Sequence, residues 1–522
     1  MNKSVPPMPA GLKRYERRRA QRELREEQKK QGKHYPPTAT LPNRKSDLKT
    51  VDEEKAVVQR VTEEQLKIYV QLLPGLLKKL ARIPDPRNPK KTKHQMRVMM
   101  LYGILMFVFQ KTSRRETNRT MTTPQILENL QAVFPELADM PHQETLCRLL
   151  EKIDVGQIET LYLDMLKRLI RKKTFNNLLH KKRYLLAVDG TQKYVMNECW
   201  DERYLRRRIR GKDGEHQYYA YVLEAVLLFS NGMVLPLMSV FLENSVELEC
   251  IENDDEWKQD CELKAFYRLA KRLKQEFPRL PFTLLMDGLY AKGPVMEICF
   301  KNKWKFMIML KDNLLSSVWQ EATGLMRLDT KGEYRCEQEW RGRTQVFRWA
   351  NEIEYDYGLA RLKTLTVHFV MCEESWEEID KEGCVALKTA RYAWIFSDPI
   401  SRKNVHEHCN LAARKRWLHE NNILKEKHQG YQYEHIFSHD WNAMQGYHYL
   451  MHIARMLNEM ALHSIYLIEQ VKAVGIQSFI KDFYAAMAYR ELDLERLRRL
   501  RESPGQLRLV YEDNWETGRT VA

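Results

Sequence analysis

The sequence is poor in the features that mark a secreted or membrane-spanning chain. Its nine cysteines include no C-x2-C pair, so neither a disulfide framework nor a zinc ribbon is indicated. The cluster His406-Glu407-His408-Cys409 lacks a second ligand pair at a usual zinc spacing. The longest apolar run, VMMLYGILMFVF from Val98 to Phe109, is flanked by Arg97 and Lys111. It is shorter than the ~20 apolar residues that a bilayer span requires and reads as a buried helix. An apolar stretch of the kind that opens a signal peptide is missing as well. These absences point to a reducing, intracellular compartment and to no membrane partner. Net acidity is also missing. The formal charge is +16 over 522 residues, with a sequence pI near 9.2, which favours a polyanionic partner, nucleic acid first. The length suggests two to four domains, and no internal repeat is visible.

Residues 1–50 carry 14 Lys/Arg against 5 Asp/Glu, a surplus of nine out of sixteen. With Pro6-Pro7, Pro36-Pro37 and few apolar residues, this stretch is expected to be a mobile basic arm with a short helix around Arg17 to Gln28. Contact with phosphates and a solubilising role fit it equally well. From residue 51 to 182 apolar residues recur at helical spacing, as a helical DNA-binding domain would show. Within it, TLCRLLEKI (145–153), following Pro141, resembles half of a helix-turn-helix, although a plain bundle accounts for it as well.

The period changes at Tyr184. YLLAV (184–188) reads as a strand ending in Asp189-Gly190, followed by a basic loop, RYLRRRIRGK (203–212). Two β segments, 218–229 and 233–241, are joined by Ser230-Asn231-Gly232, a hairpin signal. An amphipathic helix covers 261–277. The strand FTLLM (282–286) then ends on Asp287-Gly288, and a helix near 294–301 and a strand at 305–310 complete the series. Asp-Gly is a common turn pair, yet a carboxylate at the end of a buried strand also suits metal binding or acid–base work. Right-handed crossovers place the fourth strand beside, and parallel to, the first. Asp189 and Asp287 then emerge at the same end of one mixed sheet, where ligands sit in open α/β folds. The strand order is that of the ribonuclease-H-like fold: five strands with flanking helices. The expected domains are 183–325 for the first part of this core, 326–402 for a β-rich insertion, 403–445 for the second part of the core, and 446–522 for a helical region suited to dimerisation.

Two carboxylates can hold one divalent cation, but two-metal phosphoryl chemistry needs more oxygen ligands. RKRWLHENNILKEK (414–427) supplies Arg416, Glu420 and Lys427 at R-x3-E-x6-K spacing, all on one helical stripe. An isolated Arg/Glu pair at this spacing is usually a surface salt bridge; here three acids follow in the order Asp, Asp, Glu, each where the inferred fold requires one. Glu224 inside a strand and Asp398 before Pro399 read as structural acids, and Glu434 beside His435 as a neighbour of the site. Arg206, Arg207, Arg208 and Lys311 are placed along a DNA path, though a solvated loop explains them nearly as well.

On these residues the chain resembles bacterial insertion-sequence transposases of the DDE class, in the group with a β-rich insertion between the second Asp and the Glu. The signature of that group is Y-x2-R-x3-E-x6-K. Arg416, Glu420 and Lys427 match it, while Ala413 stands at the Tyr position. AVDGT (187–191), QDCELKAF (259–266), LLMDGLYA (284–291) and GYQYEH (430–435) are also similar, and the resemblance spans roughly residues 120–460. It implies that Asp189, Asp287 and Glu420 hold two Mg²⁺ or Mn²⁺ ions, which activate water to cut DNA at the element's ends and then the freed 3′-hydroxyl for transfer into target DNA. It implies further that Arg416 and Lys427 contact phosphates of the bound end, that a homodimer holds two double-stranded ends, and that the protein works in the bacterial cytoplasm at the nucleoid. The departure at Ala413 bears on how terminal nucleotides are gripped, with Trp417 and Tyr431 as nearby aromatics. A structure-specific nuclease on the same fold, or a non-catalytic DNA-binding regulator derived from such an enzyme, are the alternatives.

Overall fold

A computed structural model of the chain describes residues 13–35, 41–43, 45–209, 215–244, 260–428, 430–502 and 505–511. The polypeptide divides into two compact units. One contains residues 283–414 with the N-terminal stretch, the other residues 40–282 and 415–515. Both mix helices with strands, so the fold class is α/β. Among the described residues, no helix is long and apolar enough to cross a membrane.

The unit that contains residues 40–282 begins with helices. Thr50 caps the helix Val51–Leu80: its hydroxyl accepts the Glu53 N–H, and the Glu53 carboxylate reaches back to the Thr50 N–H. The helix Met96–Val108 is buried on every side except at Arg97. It packs against Trp441–Leu462, which is buried along nearly its whole length. The two approach closely at Gly103, where a Cβ would fall 2.8 Å from Leu450 Cδ1 and 3.0 Å from Leu146 Cδ2. The helix Gln143–Leu150 buries Leu146, Leu149 and Leu150 in the same core. The segment resembling half of a helix-turn-helix is therefore a packed member of a bundle.

Four strands follow: β1 (Tyr184–Met196), β2 (Leu205–Arg208), β3 (His216–Leu228) and β4 (Val234–Leu242). β3 pairs antiparallel with β1 on one edge and with β2 and β4 on the other. The expected hairpin joins β3 to β4, with Asn231 Oδ1 accepting the Met233 N–H at 3.2 Å and Gly232 at φ +86°. Two expectations change. β1 does not stop at Val188, because Asp189 and Gly190 stay in the ladder opposite Glu224 and Leu223 rather than turning. The basic stretch after it is not wholly a loop either: Leu205–Arg208 forms an edge strand on His216–Tyr219. Its tip, 210–214, lies outside the described residues.

The other unit contributes β5 (Phe282–Met286), β6 (Lys305–Met309), β7 (Arg335–Trp340), β8 (Arg343–Tyr357), β9 (Lys363–Ile379) and β10 (Val385–Phe396), in the order β5-β6-β10-β9-β8-β7. β5 and β6 are parallel, connected through the helix Gly293–Lys301, and the remaining neighbours are antiparallel. The β-rich region thus continues the sheet, because β10 hydrogen-bonds directly to β6.

The described part of the basic arm is a helix, Arg14–Lys30, that lies on β9 rather than standing free. Gln21 Oε1 accepts the Ile379 N–H at 2.9 Å, Gln28 donates to Glu377 at 2.6 Å, and Arg17 pairs with Glu378 at 3.3 Å. Tyr35 packs against Gly342, where a Cβ would fall 2.0 Å from the ring. These anchoring contacts are largely polar, which is why apolar periodicity gives no sign of them.

Candidate functional site

The apolar run YLLAV carries β1 through the core and delivers Asp189 to a half-exposed position. Its Oδ1 accepts the Gly190 N–H at 3.0 Å. Gly190 has no room for a side chain: a Cβ would meet the Glu262 carboxylate at 2.5 Å and Tyr221 Cε1 at 2.7 Å. Successive Cβ directions alternate along a strand, so Glu262 and Tyr221 fill the face of β1 opposite to the Asp189 side chain. The Tyr221 hydroxyl donates to Glu262 Oε1 at 2.5 Å, and burial first, then this hydrogen bond, pushes the phenol up. Glu262 was not singled out from sequence. Its signal was its place as the first residue of the amphipathic helix.

Arg416 and Glu420 come from one helix, Arg416–His428, introduced by a tight turn over Ala413–Lys415. One turn separates them, so both side chains leave the same face. Arg416 Nη2 lies 2.8 Å from Glu420 Oε1, and its Nη1 lies 3.6 Å from Asp189 Oδ2. Two acids far apart in the chain therefore flank one guanidinium. The Arg416 side chain is 9% exposed, against 23% for Asp189 and 47% for Glu420, so the carboxylates face water while the fork is recessed. A planar guanidinium with donors on two edges suits this bridging.

The helix persists through Lys427, as the expected stripe requires, and Lys427 Nζ pairs with Glu434 Oε1 at 2.9 Å. Glu434 is thus tied to the stripe through Lys427. His419, just before Glu420, turns the other way into the core, where burial pulls its imidazole down to about 4. It is neutral near pH 7. The helical period alone would have assigned it to the inner face. Of the two aromatics near the Ala413 position, Tyr431 is buried, its oxygen accepting from Asn458 Nδ2 at 2.9 Å. Trp417 is exposed beside Arg416.

Asp287 belongs to the other unit. It ends the fully buried strand β5 and also caps the short turn Gly288–Tyr290, its Oδ1 accepting the Leu289 N–H at 2.9 Å. Strand end and turn are therefore both correct descriptions of this Asp-Gly pair. A Cβ on Gly288 would fall 2.7 Å from Leu314 Cδ1 and 3.8 Å from Lys311 Cγ, which places exposed Lys311 beside the Asp287 turn. Asp398, read as structural, pairs with Lys305. On β2, Arg207 donates to Gln217 and Gln192 and lies 5.2 Å from the Tyr219 ring centre, while Arg206 is half-buried and Arg208 exposed. These three arginines edge the β1–β3 ladder.

Residues 77–165 match the family described as DDE_Tnp_1-associated, which points to a DDE-type transposase family. The matched segment takes in the buried helix Met96–Val108 and most of the helices up to Gly156–Arg171, and contains none of the three acids. No curated protein matches the chain.

Proposed function

We propose that the chain is a DNA transposase of the DDE class. On this reading Asp189, Asp287 and Glu420 form one acid triad of a ribonuclease-H-like core. The observation that carries the proposal is the bridging of Asp189 and Glu420 by Arg416. A cationic group already stands between two carboxylates that the chain brings together from distant segments. That is an arrangement a metal ion can take over. The donors are all carboxylate oxygens, the set that suits Mg²⁺ or Mn²⁺ rather than softer metals.

Two such ions, held by Asp189, Asp287 and Glu420, would supply Lewis-acid activation of water or a 3′-hydroxyl and would neutralise charge on the scissile phosphate. The chain's own groups set the rest. Arg416, recessed between the acids, turns its fork to a phosphate of the bound end and contributes a bidentate contact. Lys427 exchanges Glu434 for a second phosphate as a compact charge. Arg206, Arg207, Arg208 and Lys311 extend the basic track along double-stranded DNA, and the net charge of +16 draws the duplex in. Cleavage at both ends and joining to target DNA require two copies of the site, hence a homodimer on paired ends.

The test is cleavage and joining of DNA that carries the sequences flanking the coding region, with Mg²⁺. Asp189→Ala, Asp287→Ala and Glu420→Ala are each expected to lower cleavage by at least roughly a hundredfold while end binding persists. A variant that cuts normally removes its residue from the triad. Products that are cut but never joined would favour the nuclease reading, and end binding without cleavage under any divalent ion would favour the regulator.

A further inference from the structure

A second set of metal-ligating side chains lies in the core of the unit that holds Asp189. Glu224 stands opposite Asp189 in the β1–β3 ladder, but its carboxylate is buried, at 1% residue exposure. His448 and His452 come from Trp441–Leu462, one helical turn apart, so both imidazoles leave the same face. Their Nε2 atoms lie 3.8 and 3.7 Å from Glu224 Oε1, and the two ring centres are 4.1 Å apart. One donor atom from each residue lies within 4.8 Å of the other two, and among the described residues no other group of three His, Cys, Asp or Glu is so arranged.

Hydrogen bonding leaves this cluster incomplete. Tyr433 donates its hydroxyl to Glu224 Oε1 at 2.6 Å, and Ser239 Oγ lies 2.9 Å from His448 Nε2. Glu224 Oε2, His448 Nδ1 and His452 Nε2 have no partner, and 3.7 Å is too long for a hydrogen bond to supply one. Buried polar atoms left in this state are costly and rare. Nor does a lysine or arginine among the described residues pair directly with Glu224. The nearby Lys193 ammonium donates to the Tyr433 carbonyl at 3.2 Å and lies over the Tyr433 ring.

We propose that Glu224, His448 and His452 bind one zinc-class transition-metal ion that clamps β3 to the helix Trp441–Leu462. Two imidazole nitrogens and one carboxylate are a borderline-soft donor set, unlike the all-oxygen set of the acid triad. Tetrahedral ligands at ~2.0–2.2 Å from zinc stand roughly 3.3 Å apart, so each imidazole nitrogen needs to draw in towards Glu224 Oε1 by about half an ångström. The Ser239 hydroxyl turns away as the metal takes the His448 lone pair. All three ligands are closed off from solvent, at 1%, 1% and 3% residue exposure, so the ion is structural and meets no substrate. The proposal stands independently of the transposase reading.

Elemental analysis of the full chain, purified without chelator from zinc-supplemented cells, tests it. The expected result is about one zinc per chain with an absorption-edge spectrum of nitrogen and oxygen ligands only, falling below about a tenth per chain in His452→Gln and Glu224→Gln. Should the variants fail to fold, the wild-type chain refolded with zinc is expected to unfold at a higher temperature than the same chain refolded with chelator. Less than about a tenth of a zinc per wild-type chain together with no zinc-dependent shift on refolding overturns the site. So does full zinc retention in both folded variants, or sulfur in the ligand shell.

Discussion

Arg416 compensates a repulsion that the fold creates by bringing Asp189 and Glu420 to its two edges. Removing it leaves two carboxylates facing each other, a situation in which a partner's absence costs more than its presence gains. Arg416→Ala is therefore expected to lose about 1–3 kcal/mol of stability in chelator and to regain part of it with Mg²⁺, giving a larger Mg²⁺-dependent rise in melting temperature than wild type shows. Equal Mg²⁺ responses would separate these acids from metal binding. A second residue sets a pH dependence. Lys111, at the end of the most buried helix, lies over the Tyr484 ring and 3.8 Å from Glu116, and burial lowers it from 10.5 to about 8. The unfolded chain holds that proton more tightly, so between pH 8 and 10.5 stability rises with pH, and below pH 8 the full penalty applies. Lys111→Met is expected to exceed wild type in urea melts at pH 7 by about 2–3 kcal/mol, with the gap narrowing towards pH 10. A gap independent of pH would mean that Lys111 is not strained by its charge. At this scale the three acids, Arg416 and Lys427 were readable from sequence as candidates. Glu262 and the His448–His452–Glu224 cluster were not, because their meaning lies in what faces them from distant segments.

Among the elements, strands and helices with strong apolar period were legible to within a residue or two: Phe282–Met286, Glu262–Glu276 and Lys305–Met309. The strand β7 was missed because both of its faces are largely exposed, and the helix Ser316–Leu328 because it buries only Val318 and Ala322. β1 was cut short because Asp-Gly resembles a turn until its ladder partners are known. The helix Arg14–Lys30 was legible in extent but not in attachment. Its docked side carries Arg17, Gln21 and Gln28, while Arg14, Arg18, Arg22, Arg25 and Lys29 recur along an exposed side. An exposed cationic stripe on an anchored helix is suited to a duplex backbone. Changing Arg14, Arg18, Arg22 and Arg25 to Gln is expected to lower the log–log salt slope of non-specific DNA binding by ~0.9 for each phosphate no longer neutralised, with specific end recognition unchanged. An unaltered slope would leave the stripe as a solvated surface.

For the molecule as a whole, composition carried no sign of how the chain is divided. The sequence suggested a core interrupted by a β-rich insertion at 326–402; the chain leaves one compact unit at Phe282, ahead of Asp287, and re-enters it at Lys415, just before Arg416. The helix Trp441–Leu462, late in the sequence, packs against members of its unit that were made long before it, Met96–Val108 and β4 among them. During translation the early helices and β1–β4 must wait, uncovered, while more than a hundred intervening residues emerge. A message cut short before that helix therefore yields no smaller working version of the protein, but a chain with its interior still open to water.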